Sequence, residues 1–189
     1  MPPEPKGKTL DSGMLRALAH PIRVRMLDLL NRDGPATASG LAARLGESSG
    51  LASWHLRKLA EHGLIEEDVD RGTQRERWWR PAFDSYRLRI ADFEGDPELE
   101  SAVEVHLRTS IGQRYAAEVR FVDEIGEWRG AWQGKFSFDD DKLSLTPDET
   151  EALDAEIQAT IARYRRAPRE GDAVVITHWA AFPRKGTPE

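Results

Sequence analysis

The segment from Thr37 to Trp79 constrains the fold more than any other part of the chain. It carries two short sets of apolar residues at helical spacing, Leu41, Ala42 and Leu45, then Ala52, Leu56 and Leu59. Positions i, i+4 and i+7 share one side of a helix, so the second set predicts an amphipathic helix over about 48–62. Gly46 lies between the sets, where a tight turn is needed. Thr37 or Ser39 can cap the first helix, and Ser48 or Ser49 the second. Gly63 is placed to end the second. Leu64 to Val69 and Gln74 to Arg80 then read as two strands around Asp70-Arg71-Gly72-Thr73, giving a hairpin over 64–80.

Upstream, Leu10, Met14, Leu15 and Leu18 recur at helical spacing. Pro21 suits a first helical turn and restarts the chain. Ile22, Met26, Leu29 and Leu30 form the stripe of the next helix, and Asn31-Arg32-Asp33-Gly34-Pro35 stops it. The expected organisation is a flexible tail at 1–8, a unit at 9–83 and a linker at 84–96 with a strand at Tyr86 to Ile90. A second unit covers 97–183, and 184–189 form a frayed end. Pro97 to Ile125 reads as one long helix, with Leu99, Val103, Leu107, Ile111 and Tyr115 at four-residue steps. A helix of that length needs more cover than a small domain offers, so it is expected to pack on a second copy of itself. Thr146-Pro147-Asp148-Glu149 is a capping box, and Leu153, Ile157, Ile161 and Tyr164 stripe the helix after it. Lys142 to Thr146 and Asp172 to Phe182 have strand composition and are expected to pair. The fold class is therefore α+β, mainly α.

The outward side of the helix at 48–62 carries Ser49, Ser53, Trp54, Arg57 and Lys58. With Thr37 and Ser48 at helix starts and Arg71, Arg75 and Arg77 in the hairpin, these residues suit duplex DNA. A helix in the major groove reads base edges, and flanking basic side chains meet phosphate. Arg57 can fork onto guanine, Ser49 and Ser53 can donate to phosphate or bases, and Lys58 suits phosphate. Net charge is −6, from 27 basic and 33 acidic side chains, which opposes this reading in total but not in distribution. Residues 1–90 hold 15 basic against 12 acidic side chains, and the rest of the chain 12 against 21. The positive excess sits with the helix pair.

Residues Leu18 to Pro81 resemble the winged helix of the ArsR family of bacterial repressors. The resemblance rests on Ala17-Leu18-Ala19-His20-Pro21-Ile22-Arg23-Val24-Arg25-Met26-Leu27, on Gly40-Leu41-Ala42-Ala43-Arg44-Leu45-Gly46, and on Ala52-Ser53-Trp54-His55-Leu56-Arg57-Lys58-Leu59 with Gly63-Leu64. It implies a winged helix-turn-helix homodimer on a palindromic operator, acting as a repressor released by a signal. Thr37 and Ser39 stand where soft-metal sensors of that family carry cysteines, and the chain has none, which excludes thiolate sensing there. The part beyond Asp96 resembles a C-terminal extension of some ArsR-like regulators.

No other chemistry competes. The five histidines lack metal-ligand spacing, and His20, His55 and His62 each have a structural role on offer as cap, packing residue or helix-end cation. No metal or cofactor is expected. Neither a nucleophile elbow nor a P-loop nor a dinucleotide fingerprint is present, so no enzyme is expected. There is no membrane-length apolar run and no signal segment at Met1 to Leu10, so a cytoplasmic location is expected. Tyr115, Phe121, Trp128, Trp132, Tyr164 and Trp179 could wall the pocket of a small-molecule effector, or simply form the core of a small domain. Two alternatives to a DNA-binding regulator stand beside it: a winged helix that docks on protein, and a small-molecule binder centred on those aromatics.

Overall fold

The computed structural model describes residues 7–71, 76–167 and 169–185. These fall into two compact units, the first ending at Val119 and the second beginning at Arg120. In the first unit, β1 (Gly7–Thr9) leads into α1 (Ser12–Leu18) and α2 (Pro21–Asp33). β2 (Ala36–Thr37), α3 (Ala38–Leu45) and α4 (Ser49–Glu61) follow. β3 (Ile65–Glu67), β4 (Trp78–Pro81) and β5 (Ser85–Arg87) come next. A 3₁₀ turn over Ile90–Phe93 precedes the long helix α5 (Pro97–Glu124).

Local chemistry explains the boundaries. Asp11 caps α1 by accepting from the Met14 N–H at 2.9 Å. His20 caps α2, its Nδ1 accepting from the Ile22 N–H at 3.3 Å, and Pro21 opens the first turn. Thr37 is the α3 cap and Ser48 the α4 cap. Gly46 ends α3 at φ 71°, a left-handed conformation that costs side-chain-bearing residues about 1–2 kcal/mol.

The core lies where α1, α2, α3 and α4 meet the sheet. Leu18, Met26, Leu27, Leu30, Leu41, Leu56, Leu59 and Leu64 are its buried centre. Each such side chain contributes roughly 1.5–3 kcal/mol by leaving water. β4 is the middle strand, antiparallel to β2 on one side and β3 on the other. Trp79 faces inward and is buried, while its neighbour Trp78 is half-buried, as alternation along a strand requires. A smaller cluster joins Leu15 and Phe93 to Leu99, Ala102 and Val103, seating the start of α5 on the first unit.

Several segments differ from the sequence reading. Gly7–Thr9, expected within or beside a flexible tail, pairs in parallel with β5, Gly7 opposite Ser85 and Thr9 opposite Arg87. The 84–96 linker thus carries an ordered strand, shorter than the Tyr86 to Ile90 expected. The hairpin strands are also shorter than expected, and residues 72–75 lie outside the described residues.

In the second unit α6 (Pro147–Tyr164) forms as expected, with the complete Thr146–Glu149 capping box. The strands expected at 142–146 and 172–182 do not form: neither segment is strand among the described residues. Strand composition alone cannot supply the ladder hydrogen bonds a strand needs. Val174, Val175 and Ile176 are accordingly exposed. Among the described residues none beyond His106 is buried, so this unit has no closed core within one chain. No helix among the described residues is long and apolar enough to cross a membrane.

Candidate nucleic-acid interface

α4 turns one side inward through Ala52, His55, Leu56 and Leu59. The opposite side is left to solvent: Ser49, Trp54 and Arg57 are exposed, and Ser53 and Lys58 are half-buried. Ser48 accepts from the Leu51 N–H at 3.2 Å, so its hydroxyl is engaged in starting the helix. Beside α4 lies an open cleft of about 530 Å³ between the start of α3, the face of α4 and the strand end of the hairpin. Thr37 and Ser39 line it from α3 and its cap, Ser49, Ser53 and Arg57 from α4, and Glu76, Arg77 and Trp79 from the hairpin.

The cations differ in how they are held. Arg57 makes no hydrogen bond or ion pair to another described residue, so its guanidinium projects without a fixed partner. Lys58 pairs with Glu61 at 2.7 Å. Arg77 pairs with Glu67 at 3.8 Å. Arg71 pairs with buried Asp68 at 3.6 Å and lies 5.9 Å from the centre of the Trp78 ring. The exposed pairs of Lys58 and Arg77 contribute roughly 0–1 kcal/mol each, so phosphate can compete for these two cations. Arg75 lies outside the described residues.

A chain of hydroxyls runs along the floor of the cleft. The Thr37 hydroxyl accepts from the Gly40 N–H at 3.1 Å and lies 3.0 Å from the Ser39 hydroxyl. Ser39 donates to Glu76 Oε1 at 3.2 Å. A carboxylate only accepts, so the single Ser39 proton goes to Glu76, and Thr37 must donate to Ser39. Thr37 is buried, which makes it the anchor of this chain. Glu76 was not singled out for this site by the sequence. The β2–β4 register, Ala36 opposite Trp79 and Thr37 opposite Trp78, carries Ser39 to the level of Glu76 when continued.

His55 sits directly beneath α4's outward face. Its ring is 2% exposed, 4.7 Å from His20 and edge-on to Trp54 at 4.8 Å. Burial pushes its pKa down to about 4, helped by the His20 and Arg23 charges. It is therefore neutral at pH 7 and serves as packing.

A family model described as a helix-turn-helix domain matches residues 18–68. This segment is similar to a helix-turn-helix domain. In the helix-turn-helix domain, α3 is the first helix of the pair, Gly46 makes the turn, α4 is the second helix, and the β3–β4 hairpin is the wing. No curated protein matches the chain. Among solved structures, the chain is similar to the homodimeric winged helix-turn-helix DNA-binding domain of a possible ArsR-family transcriptional regulator from Mycobacterium bovis. Identity is 23%, over 57% of this chain and 78% of that one, with a TM-score of 0.35. It is also similar to an apo double mutant of ZitR from Lactococcus lactis, at 17% identity over 78% and 84% of the two chains, TM-score 0.33. A transcriptional regulator from Thermotoga maritima is similar at 12% identity over 79% and 87%, TM-score 0.31.

The six aromatics suggested for an effector pocket are distributed along both units. Tyr115 and Tyr164 are 69% and 79% exposed. Phe121 packs against Phe136 and Phe138, with ring centres 5.0 and 5.9 Å away. Trp128 and Trp132 form a separate edge-on pair at 5.9 Å. Trp179 is half-buried on the extended C-terminal chain.

Proposed function

We propose that the protein is a homodimeric, sequence-specific DNA-binding transcription regulator acting as a repressor on a palindromic operator. The observation that carries this reading is the α4 face beside the cleft: exposed Ser49, half-buried Ser53 and an Arg57 with no ion pair among the described residues, on the second helix of the helix-turn-helix pair. In this reading α4 enters the major groove, with Arg57 forking onto a guanine edge. The wing cations Arg71, Arg75 and Arg77, with Lys58, meet flanking phosphate. Trp54, 44% exposed on α4, offers an apolar contact such as a thymine methyl accepts.

The dimer rests on α5. Its apolar stripe is buried at Leu99 and Val103, then emerges: Ile111 is 58% and Val119 42% exposed. An apolar stripe on a helix is covered when a second copy packs along it, and a two-fold dimer places two copies of α4 on successive half-sites.

The test compares two variants. Arg57→Ala is expected to reduce discrimination between an operator and its single-base-pair variants by about 1–3 kcal/mol. Arg71→Ala is expected to weaken all duplexes alike and to lower the slope of log affinity against log salt by about 1. Fluorescence anisotropy titrations across a salt series read both effects. Parent-like binding by both variants would remove these contacts from the interface.

A further inference from the structure

The cleft beside α4 is lined by two arginines, four hydroxyl side chains and one carboxylate. Arg57 and Arg77 can only donate, and the hydroxyls of Ser49 and Ser53 donate readily. Glu76 is the sole carboxylate among the described residues that line it. It is exposed, yet held: Ser39 donates to its Oε1, and Thr37 fixes Ser39 from the buried side. A carboxylate offers about four lone-pair sites. Only Oε1 has a hydrogen bond among the described residues, so Oε2 remains available to a ligand.

A fixed acceptor in a DNA-facing cleft is unfavourable beside phosphate, whose oxygens are negative acceptors too. It becomes favourable only where the duplex presents a donor. In the major groove those donors are the exocyclic amino groups of cytosine (N4) and adenine (N6), and a glutamate suits cytosine N4. We infer that Glu76 is a specificity-determining residue that accepts a hydrogen bond from an exocyclic base amino group, cytosine N4 above all. This rests on the DNA-binding reading of the same cleft. It adds an element of rejection, because a base pair without a donor there leaves the carboxylate facing other acceptors.

The experiment is selection from a randomised duplex library with the full-length protein and with Glu76→Gln and Glu76→Ala, followed by anisotropy on the selected duplexes. The unmodified protein is expected to enrich a motif containing a cytosine or adenine position whose preference falls by about tenfold in Glu76→Ala, whereas Glu76→Gln, whose amide oxygen still accepts while its NH₂ donates, shifts that preference toward adenine, the remaining positions being unchanged. The variants should also bind random duplex several-fold more tightly, since one negative charge is gone. Identical motifs from all three proteins, or a uniform rise in affinity with the motif intact, would overturn the inference and reduce Glu76 to a repulsive neighbour of phosphate. A motif absent from the unmodified protein's own selection would instead count against sequence-specific binding itself, and Glu76 would have nothing to specify.

Discussion

Between pH 6.5 and about 4 the protein will lose folding stability on the order of 3 kcal/mol for each of two buried histidines. His55 and His106 are 2% and 3% exposed, and the Nδ1 of each is buried without a hydrogen-bond partner among the described residues. Burial lowers both pKa values from 6.5 to about 4. The His20 and Arg23 charges add to this at His55, and the Arg114 charge at His106. In the unfolded chain each takes up a proton near pH 6.5, whereas the folded protein resists until about 4. The unfolded state therefore binds more protons throughout that window, and stability rises with pH across it. Full stability holds above pH 6.5 and falls progressively as the medium becomes acid. Two shifts of this size are a large fraction of the 5–15 kcal/mol typical of a domain. Urea unfolding midpoints at a series of pH values, for the parent and for His55→Leu with His106→Leu, measure the effect. The double variant should show a much flatter profile above pH 5; parallel profiles would contradict the account.

Leu56→Ala is expected to destabilise the protein by about 2–5 kcal/mol, through lost burial and the cavity left behind. Leu56 is fully buried on α4, in the cluster that joins α1, α2 and α3 to the sheet. The same change at Leu51, 41% exposed and five residues earlier on the same helix, removes less buried surface and should cost about 1 kcal/mol or less. Chemical denaturation followed by circular dichroism separates the two. Equal effects would mean that α4 is not seated by the face assigned to it. Because α4 carries Arg57, the loss at Leu56 should also be felt as weakened duplex binding near the unfolding midpoint.

What could be read from the sequence was local. The caps at Thr37, Ser48 and Thr146, the left-handed Gly46, and the Pro21 restart are each determined by neighbours within four residues, and the structure places them as expected. The inward set Ala52, Leu56 and Leu59 follows from helical period alone. What escaped was non-local. β1 and β5 are three residues each and meet across nearly eighty residues, so neither shows a pattern that names its partner. The Ser39–Glu76 bond joins residues far apart in sequence and depends on how β4 lies against β2, not on spacing. At 172–182 the composition indicates strand, but pairing is a property of two segments, and no second one pairs with it among the described residues. The distal aromatics were ambiguous for the same reason: apolar side chains signal burial without saying what buries them.

The most direct measurement is fluorescence anisotropy of the purified protein with a duplex from the region upstream of its own gene, against a scrambled duplex of equal length, over a salt series. The account predicts tight binding to the first alone, falling steeply with salt as phosphate contacts are displaced. Absence of binding to either duplex at low salt would contradict it, and would leave the α4 face as a surface for protein rather than DNA.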